Sequence, residues 1–264
     1  MFIRYLRFLD RGKGHGIALI RILILVSLLL LEFNAADSVA ELEKLISTKG
    51  QIVFEDDFER SEREGSKEQL DCGWVTNSEK RAAGIKQADL QDDYLIITMA
   101  PHANRGVSVR HDAPFDDGVV QVKFRIHDSK GIGFNFNDPN CKVSHAGHIC
   151  HVGVKPKQVD LRDGKAGIFD LKIREKRLAG ASKEEINALT RDKFAYHDVD
   201  LELGRSYELK ILIRGDAMSA WIDTFSVGSL KSYGIDHAVK QNMAFAVSGT
   251  ADIDDLRIWS LRTD

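Results

Sequence analysis

The chain has 264 residues, of which 43% are hydrophobic and 29% charged, with a formal net charge of −3. This composition supports a folded domain with a sizeable core and disfavours disorder. A nucleic-acid-binding domain would normally carry a basic excess, so we expect no nucleic-acid partner. Three cysteines, Cys72, Cys141 and Cys150, are too few for a disulfide framework.

The first 40 residues have the pattern of a secretion signal peptide. Basic residues precede the apolar run Ile22–Leu31, and small residues follow at Ala36 and Ala40. The run is shorter than the roughly 20 apolar residues that cross a bilayer. We therefore expect export to the periplasm, the cell surface or the extracellular space, with cleavage after Ala36 or Ala40 and no stable membrane insertion afterwards.

Alternation of apolar and polar residues dominates the remaining sequence. In Val119–His127, four apolar residues fall on one face and Gln121, Lys123, Arg125 and His127 fall on the other. Gly131–Asn137 and Tyr207–Arg214 repeat this period of two, which indicates half-buried strands. Further strands are predicted at Ile52–Phe54, Tyr94–Met99, Gly106–His111, Ile149–Val154, Ile168–Arg174, Met218–Ile222, Met243–Val247 and Leu256–Leu261.

Helices are few in this pattern. Ser182-Lys183-Glu184-Glu185 forms a capping box, and Ile186 and Leu189 then supply a short apolar stripe, so we expect a helical insertion between strands. A weaker helical pattern covers Val39–Ile46. About ten strands with short turns predict an all-β, two-sheet antiparallel sandwich. We expect a leader or short helix over residues 41–50 and one domain over residues 51–264.

Three passages carry a resemblance to a known fold family. They resemble parts of concanavalin A-like lectin/glucanase domains: Val53–Phe58 with Gly73-Trp74 the first strand, the late run Tyr207–Gly228 a pair of strands around a turn, and Ile253–Trp259 the last strand. Thr224 stands where those domains usually have glycine. The resemblance implies a jelly-roll sandwich, and it is nearest to secreted bacterial 3-keto-disaccharide hydrolase-like domains.

The resemblance implies a glycan as the partner, bound on one sheet surface. Asparagine amides and arginine guanidinium groups hydrogen-bond sugar hydroxyls, and cations attract sulfate or carboxylate groups. Our leading hypothesis is a secreted domain that binds acidic or sulfated polysaccharide through Arg110, Lys123 and Arg125, on one face with Ser108. The full set of candidate ligand-binding residues is Arg110, Gln121, Lys123, Arg125, His127, Asn135, Asn137, His145 and His148. An ordinary solvated surface is the alternative interpretation.

Two other functions stay open. The spacing Glu55-x-Asp57-x-Glu59 matches one form of the acid triplet of family 16 glucanases, so the chain is alternatively a glycoside hydrolase of the family 16 or 3-keto-disaccharide type, with unassigned catalytic residues. That triplet lies at the first strand rather than in mid-domain, which favours a plain strand edge. A laminin G-like protein-interaction module is the second alternative.

The densest group of metal-ligand residue types is Cys141-x(3)-His145-x(2)-His148-x-Cys150-His151. Three interpretations compete: a loop closed by a Cys141–Cys150 disulfide, a polar loop that contacts a ligand through His145 and His148, and a zinc site. Export favours the disulfide, because secreted cysteines are usually oxidised.

No cofactor is required by any motif, but a structural calcium ion is one interpretation of the acids near both ends of the domain. These are Asp56, Asp57, Asp252, Asp254 and Asp255. The candidate sugar-stacking side chains are Trp74, Trp221 and Trp259. Trp221 alternates away from Ala220 and Ile222, which indicates exposure.

Overall fold

The computed structural model describes residues 39–262. Residues 1–38 of the expected signal peptide therefore lie outside the described residues. Leu42–Asp264 forms one compact unit. Within residues 39–262, no helix is long and apolar enough to cross a membrane.

Fifteen strands and four helices make up the described region, together with a 3₁₀ turn at His145–Gly147. The helices are α1 (residues 39–49), α2 (Ser78–Arg81), α3 (Leu171–Leu178) and α4 (Lys183–Thr190). The strands are β1 (Gly50–Asp56), β2 (Val75–Thr76), β3 (Ala88–Gln91), β4 (Tyr94–Thr98), β5 (Val107–Phe115), β6 (Gly118–Ile126), β7 (Ile132–Asn137), β8 (His148–Lys155), β9 (Gln158–Asp163), β10 (Phe194–Asp198), β11 (Tyr207–Arg214), β12 (Ala217–Ile222), β13 (Phe225–Lys231), β14 (Lys240–Val247) and β15 (Thr250–Leu261).

The strands form two antiparallel sheets that pack face to face. Sheet A has the order β13-β12-β11-β6-β15-β4-β3, and β1 pairs with the second half of β15. Sheet B has the order β10-β9-β8-β7-β14-β5-β2. Both sheets combine hairpins of consecutive strands with neighbours that are distant in sequence, such as β6 and β15 or β7 and β14. The expected all-β sandwich is confirmed.

The core lies between the two sheets, where their apolar faces meet. Phe124 of β6 in sheet A contacts Phe134 of β7 in sheet B edge to face, with ring centroids 6.1 Å apart. Phe134 in turn contacts Phe245 of β14 at 5.9 Å. All three side chains are almost fully buried. The alternation in Val119–His127 therefore predicted the core face of β6 correctly.

Helix α4 is the expected insertion. The Ser182 hydroxyl accepts a hydrogen bond from the Glu185 amide at 3.1 Å, as the capping box predicts. The prediction of a strand at Ile168–Arg174 is wrong, because this segment leads into α3. Asp170 caps α3 by accepting hydrogen bonds from the amides of Lys172 and Ile173, and this local bonding favours helix over strand.

The outer face of sheet A is partly covered by helix α1. Leu42 on this helix is buried, and Glu43 pairs with Lys210 of β11 at 3.2 Å. Trp221 of β12 lies directly opposite Lys210 and is only 6% exposed. The expectation of an exposed Trp221 is therefore wrong. Its outward direction is correct, but the exposure depends on what covers the sheet.

Candidate functional site

The candidate ligand-binding residues do not share one surface. Gln121, Lys123 and Arg125 lie on β6 in sheet A, and His127 follows that strand. The remaining candidates belong to sheet B or to the loop before β8: Arg110, Asn135, Asn137, His145 and His148. Outward side chains of the two sheets point away from each other, so the single polar face predicted from sequence is wrong.

The candidates on sheet A are occupied by ion pairs with the adjacent strand β15. Lys123 pairs with Asp255 and, at 3.8 Å, with Asp254. Arg125 lies 3.8 Å from Asp252. The same carboxylate lies 2.8 Å from His127 Nε2, and Gln121 donates to Glu208 at 2.7 Å. These cations are neutralised within the protein, so they offer little attraction to an anionic glycan.

The outer face of sheet B presents a continuous register row. Arg110 of β5 pairs with Ala244 of β14, which pairs with Asn135 of β7, then His151 of β8 and Arg162 of β9. Strands lie ~4.8 Å apart, so the row extends roughly 19 Å across the sheet. Such a span suits an oligosaccharide better than a single sugar.

A β-bulge brings His148 to the same outer face as His151. His151 pairs with Asn135, and Cys150 pairs with Phe136 in the core. Simple alternation would then point His148 inward, because it lies three residues before His151. The register shifts between Phe136 and Asn137, so His148 pairs with Asn137 instead. Bulges of this kind commonly redirect side chains at functional sites.

His151 lies in a network with its neighbours on the sheet. Its Nδ1 is 2.7 Å from Asn135 Oδ1, and its Nε2 is 3.5 Å from Asp160 Oδ2. Arg162 Nε donates to the same Asp160 oxygen at 2.6 Å. Burial by itself would raise the pKa of Asp160, but the hydrogen bonds from His151 and Arg162 outweigh it and lower that pKa. Asp160 is therefore a fixed negative charge.

A glycine makes room for this network. A Cβ atom added at Gly153 would lie 2.8 Å from both Asp160 Oδ1 and His151 Nε2. These distances are shorter than van der Waals contact, so a larger residue would displace the pair. The small residue thus lets the imidazole lie close to the sheet.

His148 is a neutral imidazole with one free ring nitrogen. Burial, followed by the charges of His151 and His145, lowers its pKa from 6.5 to about 4. Its Nδ1 lies 2.8 Å from Asn137 Oδ1, while Asn137 donates its amide to Asn242 Oδ1 at 3.0 Å. Since Asn137 Oδ1 is the acceptor, the network assigns the proton to Nδ1. The Nε2 lone pair has no hydrogen-bond partner among residues 39–262.

A pocket of about 100 Å³ brings these groups together. Its walls include Asn135, His148, His151, Arg162 and Phe169. The Phe169 and His148 rings have centroids 4.2 Å apart. Asp160 and Arg162 were not predicted as site residues because β9 was missed, and Phe169 was assigned to the wrongly predicted strand Ile168–Arg174. The alternation of Val159 and Leu161 with Asp160 and Arg162 is the sequence signal for that strand.

The Cys141–Cys150 disulfide predicted from sequence is wrong, since Cys72, Cys141 and Cys150 are all free. Strand alternation places Cys150 on the buried face of β8, opposite Phe136, while Cys141 lies in the loop after β7. Among residues 39–262, no group of three or more His, Cys, Asp or Glu is arranged to hold a metal ion. Of the two histidines in the polar-loop interpretation, His148 lines the pocket and His145 does not. Contact of either with a ligand stays a prediction.

The terminal acids of the domain have partners of their own. Strand β1 pairs with β15, so the two ends meet as expected. Asp56 accepts hydrogen bonds from Arg60 at 2.5 Å and from the Trp74 indole at 2.7 Å. A calcium ion would therefore compete with cations already bound to Asp56, Asp252 and Asp255. Calcium binding stays a prediction.

The family 16-like acid triplet does not form one strand face. Glu55 lies in β1, but Asp57 and Glu59 come after the strand ends. Phe58 between them has a φ of 56°, so the extended backbone is interrupted there. The only triplet residue within a strand, Glu55, belongs to sheet A and not to sheet B, which carries the pocket.

Comparison with known proteins identifies the fold. The laminarinase from Rhodothermus marinus aligns over 81% of this chain and 98% of its own, with a TM-score of 0.53 and 12% identity. A non-specific endo-β-1,3(4)-glucanase of family GH16 aligns over 81% of this chain and 92% of its own, with a TM-score of 0.51 and 10% identity. The laminarinase from Flavobacterium sp. UMI-01 aligns over 80% of this chain and 100% of its own, with a TM-score of 0.50 and 13% identity. No protein-family model and no curated protein sequence matches the chain. The protein has the concanavalin A-like jelly-roll fold, and identities this low show the fold alone.

Proposed function

We propose that this protein binds a glycan on the outer face of sheet B, at the pocket formed by Asn135, His148 and Arg162. The observation that carries the proposal is a set of hydrogen-bonding groups there that have no partner among residues 39–262. The Nε2 lone pair of His148 accepts, while the Asn135 amide and the terminal guanidinium nitrogens of Arg162 donate. A sugar hydroxyl both donates and accepts, so such a mixed set complements it.

Aromatic side chains flank these polar groups. Phe169 forms one wall of the pocket. Tyr196 of β10 lies directly opposite Asp160, and it is 51% exposed. Ligand sites usually combine apolar and aromatic surface with a few convergent polar groups, and this site has that character. The similarity of the fold to laminarinases, which are proteins that act on polysaccharide, adds support.

Binding is favoured over family 16-type hydrolysis. A glycoside hydrolase needs a carboxylic acid with a raised pKa to protonate the leaving group. Asp160 has a lowered pKa because His151 and Arg162 hydrogen-bond to it. Asp160 therefore stays ionised. A role in orienting His151 and Arg162 fits it better than a role as proton donor.

Export forms part of the same proposal. The basic, apolar and small-residue pattern of the first 40 residues supports secretion, although most of it lies outside the described residues. A location outside the cytoplasm is where structural polysaccharides are met. The glycan is thus proposed to be extracytoplasmic.

A glycan array followed by calorimetry with the best ligand tests this proposal. The His148→Leu variant removes the free lone pair, and we expect about tenfold weaker binding. His127→Leu is the control, since His127 is an exposed histidine that pairs with Asp252 on the opposite sheet. It should bind as the wild type does.

Three outcomes would count against the proposal. An array on which the wild type binds no glycan, with a protein partner recovered instead, would favour the laminin G-like alternative. Equal loss of affinity in both histidine variants would show that the effect is not specific to the pocket. Hydrolysis of the ligand by the wild type would replace binding with catalysis.

A further inference from the structure

A second cavity, of about 230 Å³, lies at the other end of the sheet B face. It is lined by residues from β2, β5 and α2, among them Arg110, Ser108 and Lys80. Arg110 belongs to the same register row as Asn135, two strands away. Their Cα atoms are therefore roughly 10 Å apart. The cavity thus lies on the same face, where it would contact a different part of a bound glycan.

Hydrogen bonds fix this cavity in shape. The Asn77 side chain accepts from the Ser108 amide at 3.0 Å and donates to the Gly106 carbonyl at 3.1 Å. The Asn77 amide also donates to the Ser108 carbonyl at 3.1 Å. Asn77 immediately precedes α2, so these bonds hold Lys80 beside β5. These hydrogen bonds thus hold the backbone segments that carry Lys80 and Arg110 next to each other.

The cations of this cavity differ from the three sheet cations described above. Lys123, Arg125 and Arg162 each pair with an aspartate. Arg110 and Lys80 have no side-chain hydrogen bond or ion pair within residues 39–262. The Ser108 hydroxyl likewise has no partner in that range.

Three acids lie nearby, and within residues 39–262 none forms an ion pair with Arg110 or Lys80. Glu68 accepts hydrogen bonds from the hydroxyls of Thr76 and Ser78. Glu79 lines the cavity, but its carboxylate faces Gly84, whose added Cβ would lie 3.0 Å from Oε2. Asp112 follows two residues after Arg110 on the same face and pairs in register with Asn242. Arg110 and Lys80 thus keep unused donors that face the cavity.

We propose that this cavity is a subsite for an anionic substituent of the glycan, a carboxylate or a sulfate group, bound by Arg110 and Lys80 with the Ser108 hydroxyl. This inference rests on the proposed glycan binding and specifies its substrate class as an acidic polysaccharide. A guanidinium group can bind either oxyanion through two hydrogen bonds, and the ammonium group adds a compact charge.

Calorimetry with laminarin, carboxymethyl-laminarin and sulfated laminarin of matched length tests the subsite, because the three share one backbone. We expect the wild type to bind at least one anionic form about tenfold more tightly than laminarin at low salt. Comparison of the affinities for carboxymethyl-laminarin and sulfated laminarin tells which oxyanion is preferred. High salt should reduce the preference, since ions screen exposed charges.

The Arg110→Gln, Lys80→Gln double variant should lose most of this preference. Lys123→Gln, Arg125→Gln is the matched control, because it removes two cations from the opposite sheet, and it should keep the preference. An unchanged preference in the first variant, or an equal loss in both, would overturn the subsite. His148-dependent binding of all three polymers with equal affinity would overturn the subsite alone, whereas no binding to any array glycan or polymer would overturn the proposed function as well.

Discussion

The ring of His148 is held by Asn137, whose Oδ1 lies 2.8 Å from the His148 Nδ1 atom. The two residues are register partners on β8 and β7, next to the bulge that turns His148 outward. Asn137 is itself fixed by the hydrogen bond that its side-chain amide donates to Asn242. This chain of contacts decides which imidazole nitrogen faces the pocket.

Asn137→Ala should weaken glycan binding about tenfold, because the His148 ring loses the acceptor that fixes its tautomer. It should also lower the free energy of unfolding by about 1–3 kcal/mol, since Asn242 is left without a partner in a buried position. Calorimetry and urea denaturation measure the two effects. Affinity equal to that of the wild type would show that His148 needs no positioning by Asn137.

Asn137→Asp separates positioning from packing. The carboxylate keeps an acceptor for Nδ1 and stabilises the protonated imidazole, so the pKa of His148 should rise from about 4. An NMR titration of the His148 ring protons reads this directly. A residue with a purely structural role would leave the titration unchanged.

The low pKa of His148 also predicts how stability depends on pH. Below about pH 6.5 the unfolded chain takes up a proton on His148, while the folded protein does so only near pH 4. The unfolding free energy should therefore fall as the pH falls through this window, by at most about 3 kcal/mol from this residue. Urea denaturation at several pH values should show a shallower dependence for His148→Gln. Parallel curves for both proteins would contradict the prediction.

The three free thiols should differ in reactivity. Cys72 is exposed, whereas Cys150 is fully buried and burial raises its pKa to about 12. Thiolate is the reactive form, so Cys150 should be alkylated only after unfolding. Mass spectrometry of iodoacetamide-treated protein, folded and unfolded, checks this. Recovery of a Cys141–Cys150 disulfide peptide would contradict the free thiols of the structure.

Phe134 of sheet B contacts Phe124 of sheet A across the core and Phe245 within its own sheet. Phe134→Ala should lower the free energy of unfolding by about 3–5 kcal/mol, because it opens a cavity in the core. Phe225→Ala is the matched control, since that ring is 76% exposed, and its effect should stay within about 0.5 kcal/mol. Denaturant melts of both variants provide the measurement, and equal effects would contradict the assignment of Phe134 to the core.

The sequence by itself determined the longest strands of the core and their inward faces. Apolar alternation in Val119–His127 and Tyr207–Arg214 indicated both. The fold class followed, because this alternation does not depend on how the strands are ordered in the sheets. The capping box at Ser182 was also sufficient, since its hydrogen bonds are local. Alternation misled at Ile168–Arg174, where the cap at Asp170 starts a helix.

The tertiary structure decided which polar residues meet. A strand's sequence does not state which sheet it joins, so the β6 residues Lys123 and Arg125 were grouped with Arg110 although they lie on the opposite sheet. A single bulge decided the direction of His148, and the fold brought Arg162 beside His151. Pairing between strands distant in sequence depends on the whole fold, and that pairing places the pocket on sheet B.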